Sequence, residues 1–340
     1  METRTGDKRE PERAAYERCR GQKMARIADF HCTYDNASGF GTWAEENYGI
    51  LFPNAYTERE MMVKLALAVK EHNGAAVCLL PFCHTLEAEV LGGNIRLGDG
   101  VTGPRTGGYC CKTLEEVLAL PGVEQAYRGI LKENGDPDTV EGKKTEKHPE
   151  NRGKVHRLAE TLEACRILNR MGEDVVFLVS GPLTILNGLA DSEMVFRALL
   201  REPELVKRVL EKIGRDILTV MKLAEDAGVG LISFADPSGG VNIVGPKVAG
   251  RMAQTFTAGF LKEADRILRP ETTVLLCPKT AFALIGTEMA EWKDHVLPEP
   301  MEYTKAILYK KKEIRFAGQD CMNHVGHVLA DGKLKELVLK

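Results

Sequence analysis

Short apolar runs of strand length alternate with long stretches of helical periodicity along this chain, and few folds satisfy that rhythm. A parallel sheet covered by helices is the simplest, because each crossover between parallel strands needs about a dozen residues or more and a helix fills that length. The clearest strand segments are Ala25 to Phe30, Ala75 to Leu80, Val175 to Val179, Gly230 to Phe234, Thr273 to Cys277 and Ile314 to Ala317. Trp292 to Leu297 and Leu334 to Leu339 are weaker candidates. Between them, Thr57 is placed to cap a helix reciprocally with Glu60, and Gly74 to stop it. Pro203 opens a long helix with Val206, Val209, Leu210, Ile213 and Ile217 at helical spacing, ended near Gly228. Pro246 opens another, with Met252, Phe256 and Phe260 on one stripe. The pattern predicts a single-domain α/β chain, a (β/α)8 TIM-type barrel over residues 25–340 behind an N-terminal helical extension at 1–24. A doubly wound open sheet is the alternative.

At 340 residues, 44% apolar and 28% charged, the chain can bury a large core without disulfides. A net charge of -3 gives no general attraction to phosphate backbones, so nucleic acid is excluded as a partner. Nine cysteines in mostly apolar surroundings point to a reducing compartment. The charged first twenty residues lack the apolar core of a signal peptide, and no run of about 18 apolar residues occurs, so a soluble cytoplasmic protein with no membrane partner is expected. From Asn134 to Lys154 the chain is almost devoid of apolar residues and reads as a surface excursion.

In parallel α/β folds the chemistry gathers at the carboxyl ends of the strands, where the connecting loops converge. Reading just past each strand collects His31, then Cys83, His84 and Glu87, then Ser180, then Asp236 and Ser238, then Cys277, and finally Cys321 with His324 and His327. Cys277 and Cys321 stand out, because two thiolates at one barrel mouth would make a soft-metal site suited to zinc. His324 is the nearest nitrogen donor in the run C-M-N-H-V-G-H, which begins at Cys321. Glu87 and Asp236 are carboxylates available for proton transfer or ligation, and His31, Ser180 and Ser238 are polar groups available to bind substrate.

The segments PFCHTLEAEVLGG, VSGPLTILNGL, ISFADPSGG and VLLCPK follow one another in an order and spacing that resemble the uroporphyrinogen decarboxylase superfamily, over roughly residues 25 to 339. Within it, the corrinoid methyltransferase branch is the more similar. That resemblance implies a zinc ion that binds a small thiol such as coenzyme M, with a methylated corrinoid on a partner protein as methyl donor. It implies a metal ligand at Cys277 and pocket positions at Cys83 and Asp236; the branch's later cysteine normally follows a further strand near the carboxyl terminus, and Cys321 is the available substitute here. The chain departs from the branch where its usual histidine stands, since Leu275 occupies that position. Tetrapyrrole decarboxylation is a second reading, but the arginine-rich segment that binds substrate carboxylates in true decarboxylases is replaced by ADFHCTYD. A corrinoid- or thiol-binding accessory protein without catalysis is a third.

Overall fold

The structure, a computed structural model, describes residue 27, residues 43–134 and residues 153–340. Apart from Ile27, the predicted strand at Ala25 to Phe30 lies outside the described residues, as do His31, the extension at 1–24 and nearly all of the polar excursion. Nine strands are present among those described: β1 (Cys78–Leu80), β2 (Asn94–Arg96), β3 (Arg105–Gly108), β4 (Val175–Ser180), β5 (Leu231–Ala235), β6 (Thr273–Leu276), β7 (Ala290–Val296), β8 (Phe316–Ala317) and β9 (Lys333–Leu339). Seven form one sheet in the order β1-β4-β5-β6-β8-β9-β7. The run from β1 to β8 is parallel throughout, in registers such as Val176 opposite Leu231 and Leu231 opposite Thr273. β9 then reverses direction against both β8 and β7. The protein is thus α/β with a mostly parallel sheet, and the described residues do not close it into a ring.

Alternation along each strand sends its side chains to two different interiors. Val175, Phe177 and Val179 enter the large core beneath the covering helices. Val176 faces the other way, joining Leu231, Leu275 and Ala317 in a second core that is filled by Tyr303 and Ile307. Further along that second face, Leu178, Ser233 and Ala235 line an open cavity instead. The strands read as continuous apolar runs because both faces are covered.

The helices follow their punctuation with one exception. Pro203 opens Pro203–Asp226, whose buried stripe contains Val206, Val209, Leu210, Ile213 and Ile217. Gly74 ends Arg59–Asn73 in the left-handed conformation, at φ 63°. Gly245, at φ 76° and ψ 162°, breaks Val241–Met252 just before Pro246, so Pro246 does open a new helical stretch. The expected capping by Thr57 is corrected: Glu58 is the N-cap, without a side-chain cap bond. Thr57 instead donates its hydroxyl to Asn54 O at 3.4 Å, closing a preceding turn of 3-10 helix. No helix among the described residues is long and apolar enough to cross a membrane.

Candidate functional site

A cavity of about 520 Å³ opens at the carboxyl ends of the parallel strands. Cys277, the residue after β6, and Cys321, in the loop after β8, both line it. Both are half-buried thiols. Cys277 donates its backbone N–H to Phe234 O at 2.9 Å, extending the β5–β6 pairing, and its own carbonyl accepts from the first turn of helix Pro278–Gly286. That junction aims the thiol off the strand end into the cavity.

Cys83 and His84 line the same cavity. Adjacent residues of a strand would point to opposite faces. Here β1 has already ended at Leu80, so both are free of that constraint. Nδ1 of His84 is sealed from solvent with no hydrogen-bond partner, and burial pushes the imidazole pKa down, favouring the neutral ring with a lone pair. Cys83 is held by Thr85 Oγ1 at 3.2 Å and by the Arg157 guanidinium at 3.5 Å. Arg157 also donates to Thr85 at 3.0 Å and pairs with Glu89 at 2.5 Å. Its side chain is 2% exposed, so this is a buried ion pair directly behind the β1 loop.

Glu87, Ser180, Asp236 and Ser238 are not among the residues lining the cavity. They form the wall behind it. Glu87 Oε1 accepts from the Ser180 N–H at 2.9 Å, joining the β1 loop to the end of β4. Asp236 reaches across to helix Pro182–Leu189, accepting from Leu183 N at 3.2 Å, from Thr184 N at 2.8 Å and from the Thr184 hydroxyl at 2.7 Å. The cap that Gly181 cannot supply to its own helix therefore comes from the next strand. The contact is close enough that a Cβ on Gly181 would stand 2.2 Å from the Asp236 Cβ. Ser238 donates its N–H to the same Thr184 hydroxyl at 3.2 Å.

Burial pushes the Glu87 carboxyl above its usual value of 4.5, against the pull of the Ser180 hydrogen bonds and the Arg157 charge. A folded-state pKa above the unfolded one gives a stabilisation that is complete below the unfolded pKa and is lost as pH rises through the folded pKa. Ionising this buried carboxyl is therefore disfavoured, a cost that grows as pH rises and that a neutral amide avoids. Glu87→Gln should unfold at higher denaturant concentration than the parent at pH 7, with the gap closing as pH falls toward 4.5. Equal midpoints at both pH values would remove the burial argument.

The loop after β8 carries a second constellation. Asp320 Oδ1 accepts from the Cys321 N–H at 2.7 Å, and Oδ2 receives His324 Nδ1 at 2.9 Å and His327 Nε2 at 3.3 Å. His324 thus turns toward Asp320 and His327, and it is not among the cavity-lining residues. Leu275, at the position where the resemblance implies a histidine, is 1% exposed and packs in the second core. The cavity wall therefore carries two thiols, and the imidazoles of His72 and His84 line it as well. Among the described residues, the group of three ligand atoms close enough to share an ion is Asp320, His324 and His327, and the two cavity thiols belong to no such group. Arg157 gave no sequence signal at all, whereas Asp320 was readable from the D-C-x-x-H-x-x-H spacing.

Residues 42–297 match the family pattern for uroporphyrinogen decarboxylase (URO-D), three quarters of the chain. The chain belongs to the uroporphyrinogen decarboxylase family. This URO-D family member is also similar to two curated proteins, both named methylcobamide:CoM methyltransferase MtaA and both from Methanosarcina barkeri. One is 24% identical over 63% of this chain and 57% of its own length, the other 23% identical over 72% and 63%. The chain thus spans about three fifths of the length of these relatives. A solved structure of a methyltransferase from Methanosarcina mazei superposes with TM-score 0.52 at 18% identity, over 77% of this chain and 69% of the other, and supports the shared fold.

Proposed function

We propose that this URO-D family member is a corrinoid-dependent methyltransferase that moves a methyl group from a methylated corrinoid, carried by a partner protein, to a small thiol of the coenzyme M kind. The carrying observation is that Cys277 and Cys321, which leave different strands, line one cavity at the sheet's carboxyl edge. Similarity to methylcobamide:CoM methyltransferases supports the reaction class. We take the fold to be a (β/α)8 barrel. The seven described cysteines are all thiols, in keeping with a reducing, cytoplasmic setting.

In this reading Cys277 and Cys321 hold zinc, with a nitrogen donor such as His84 completing the protein's share. Zinc, when bound, would supply the charge that keeps a substrate thiol ionised at neutral pH. The protein's own part is to orient and to exclude water. Leu178, Ala235 and Leu276 present an apolar lining to the reacting sulfur, which raises its nucleophilicity by stripping solvent from it. Cys83 and His84 stand at the β1 rim, where Arg157 fixes the loop. Product forms as the sulfur takes the methyl carbon and the donor keeps the bonding electron pair.

A decarboxylase acting on a tetrapyrrole with eight carboxylates would need many fixed cations. Among the described residues lining the cavity, those cations are Lys70 and Lys279, and Lys70 is already paired with Glu173. The test is incubation of the purified protein with methylcobalamin and a panel of thiols, following loss of the methyl–cobalt absorbance and of free thiol. Stoichiometric methyl transfer is expected. No turnover with any thiol, or release of carbon dioxide from uroporphyrinogen, would overturn the assignment.

A further inference from the structure

We propose that Asp320, His324 and His327 form a binding site for a divalent first-row transition-metal ion, distinct from the thiol pair that faces the cavity. The two nitrogens converge on a single carboxylate oxygen, 2.9 Å and 3.3 Å away, and all three ligand atoms lie within 4.8 Å of one another. Ligand atoms that share an ion at about 2.0–2.2 Å stand about 2.9 Å apart at octahedral angles and about 3.3 Å apart at tetrahedral ones. Both nitrogen–oxygen separations fall in that range.

The backbone builds this convergence. His324 N–H donates to Cys321 O at 3.0 Å and His327 N–H to His324 O at 3.3 Å, so two successive turns bring both rings to one side. Gly326, at φ 83°, allows the second turn. The rings stack with centroids 4.5 Å apart, and His327 O is tied to Tyr303 N at 2.8 Å, at the start of helix Tyr303–Lys310. Asp320 is 6% exposed and its second oxygen is held by the Cys321 N–H, which fixes the carboxylate. The half-buried histidines leave the other side of the site open to solvent, for water or a further ligand.

Two imidazoles and one carboxylate on one face, with positions left open, suit zinc or ferrous iron and disfavour magnesium, which takes oxygen ligands. The loop thereby has two faces. Cys321, Met322, Asn323 and Val325 look into the cavity, while Asp320, His324 and His327 meet away from it. A bound ion pins the loop and through it the position of Cys321. This site does not rest on the thiol chemistry proposed above, and it survives if that chemistry fails.

The experiment is a metal titration of the full chain, with zinc and then cobalt as probes, in the parent, in Cys277→Ala and in His324→Ala/His327→Ala. Expected results are one equivalent of zinc retained in Cys277→Ala and raising its melting temperature, and affinity for that equivalent reduced at least about 100-fold in the histidine variant. Cobalt bound to Cys277→Ala should lack the strong near-ultraviolet band of thiolate ligation. Asp320→Asn, which keeps the side-chain shape, should weaken the same equivalent, and magnesium should bind to none of the proteins. No zinc retained in Cys277→Ala, undiminished binding in the histidine variant, or a thiolate band from the retained cobalt would each overturn the site. Loss of methyl transfer in Cys277→Ala with the retained equivalent intact would leave both assignments standing. An active Cys277→Ala protein would sink the thiol site alone.

Discussion

Cys277→Ala should lower methyl transfer to thiols by on the order of 10²–10³-fold, the scale on which removal of one charge-stabilising group acts in an active site. The fold should tolerate it. The residue is half-buried, its side chain makes no capping bond to the helix that follows, and its backbone hydrogen bond to Phe234 O at 2.9 Å is untouched by the change. Steady-state kinetics beside a denaturation curve separates the two effects. A variant with the parent's melting temperature and less than a tenfold drop in rate would remove Cys277 from the chemistry. Cys321→Ala should behave alike in rate, because the proposed ion needs both sulfurs.

Arg157→Met should be the most destabilising single change near the site. It takes the guanidinium at 2.5 Å away from the Glu89 carboxylate, whose side chain is 11% exposed. Breaking a buried ion pair from one side costs about 3–5 kcal/mol, because the remaining charge stays out of water. It also frees Cys83 and Thr85, which the guanidinium holds at 3.5 Å and 3.0 Å. Chemical denaturation gives the number directly. The paired variant Arg157→Met/Glu89→Leu should recover most of the loss, because it removes both charges together. A loss below about 1 kcal/mol in the single variant, or no recovery in the pair, would show that the charge on Glu89 is not what Arg157 holds in place.

The sheet was legible because each parallel strand is covered on both sides, which leaves unbroken apolar runs such as Val175 to Val179 and Thr273 to Leu276. The strand limits were less so. Ala75 to Val77 have strand-like side chains, but ladder pairing starts at Cys78, where the backbone N–H first finds Asp174 O at 2.9 Å. The rule that strand ends converge collected Cys277, Cys321 and Cys83, which line one cavity, together with Glu87, Ser180, Asp236 and Ser238, which do not. Asp236 was harder, since its short spacing to Pro237 fits a turn or a ligand equally well. Its partners at Leu183 and Thr184 lie 53 and 52 residues away. Arg157 and Glu89 are likewise brought together by helix packing, and no local pattern marks a pair so far apart in the chain. Thr57 shows the converse, a good local capping pattern overruled when a preceding turn took its hydroxyl.

The abutment of Gly181 against Asp236 has a bearing on any attempt to reshape this protein for other ligands. A methyl group at residue 181 would stand 2.2 Å from a neighbouring carbon, so enlargement there drives two strands apart and adds nothing to the hollow. The ends of β4 and β5 meet there in close packing. Engineering of ligand size has to begin on the opposite rim, at exposed Ile243 or half-buried Val325, where side chains end at the opening and can be exchanged without moving the sheet.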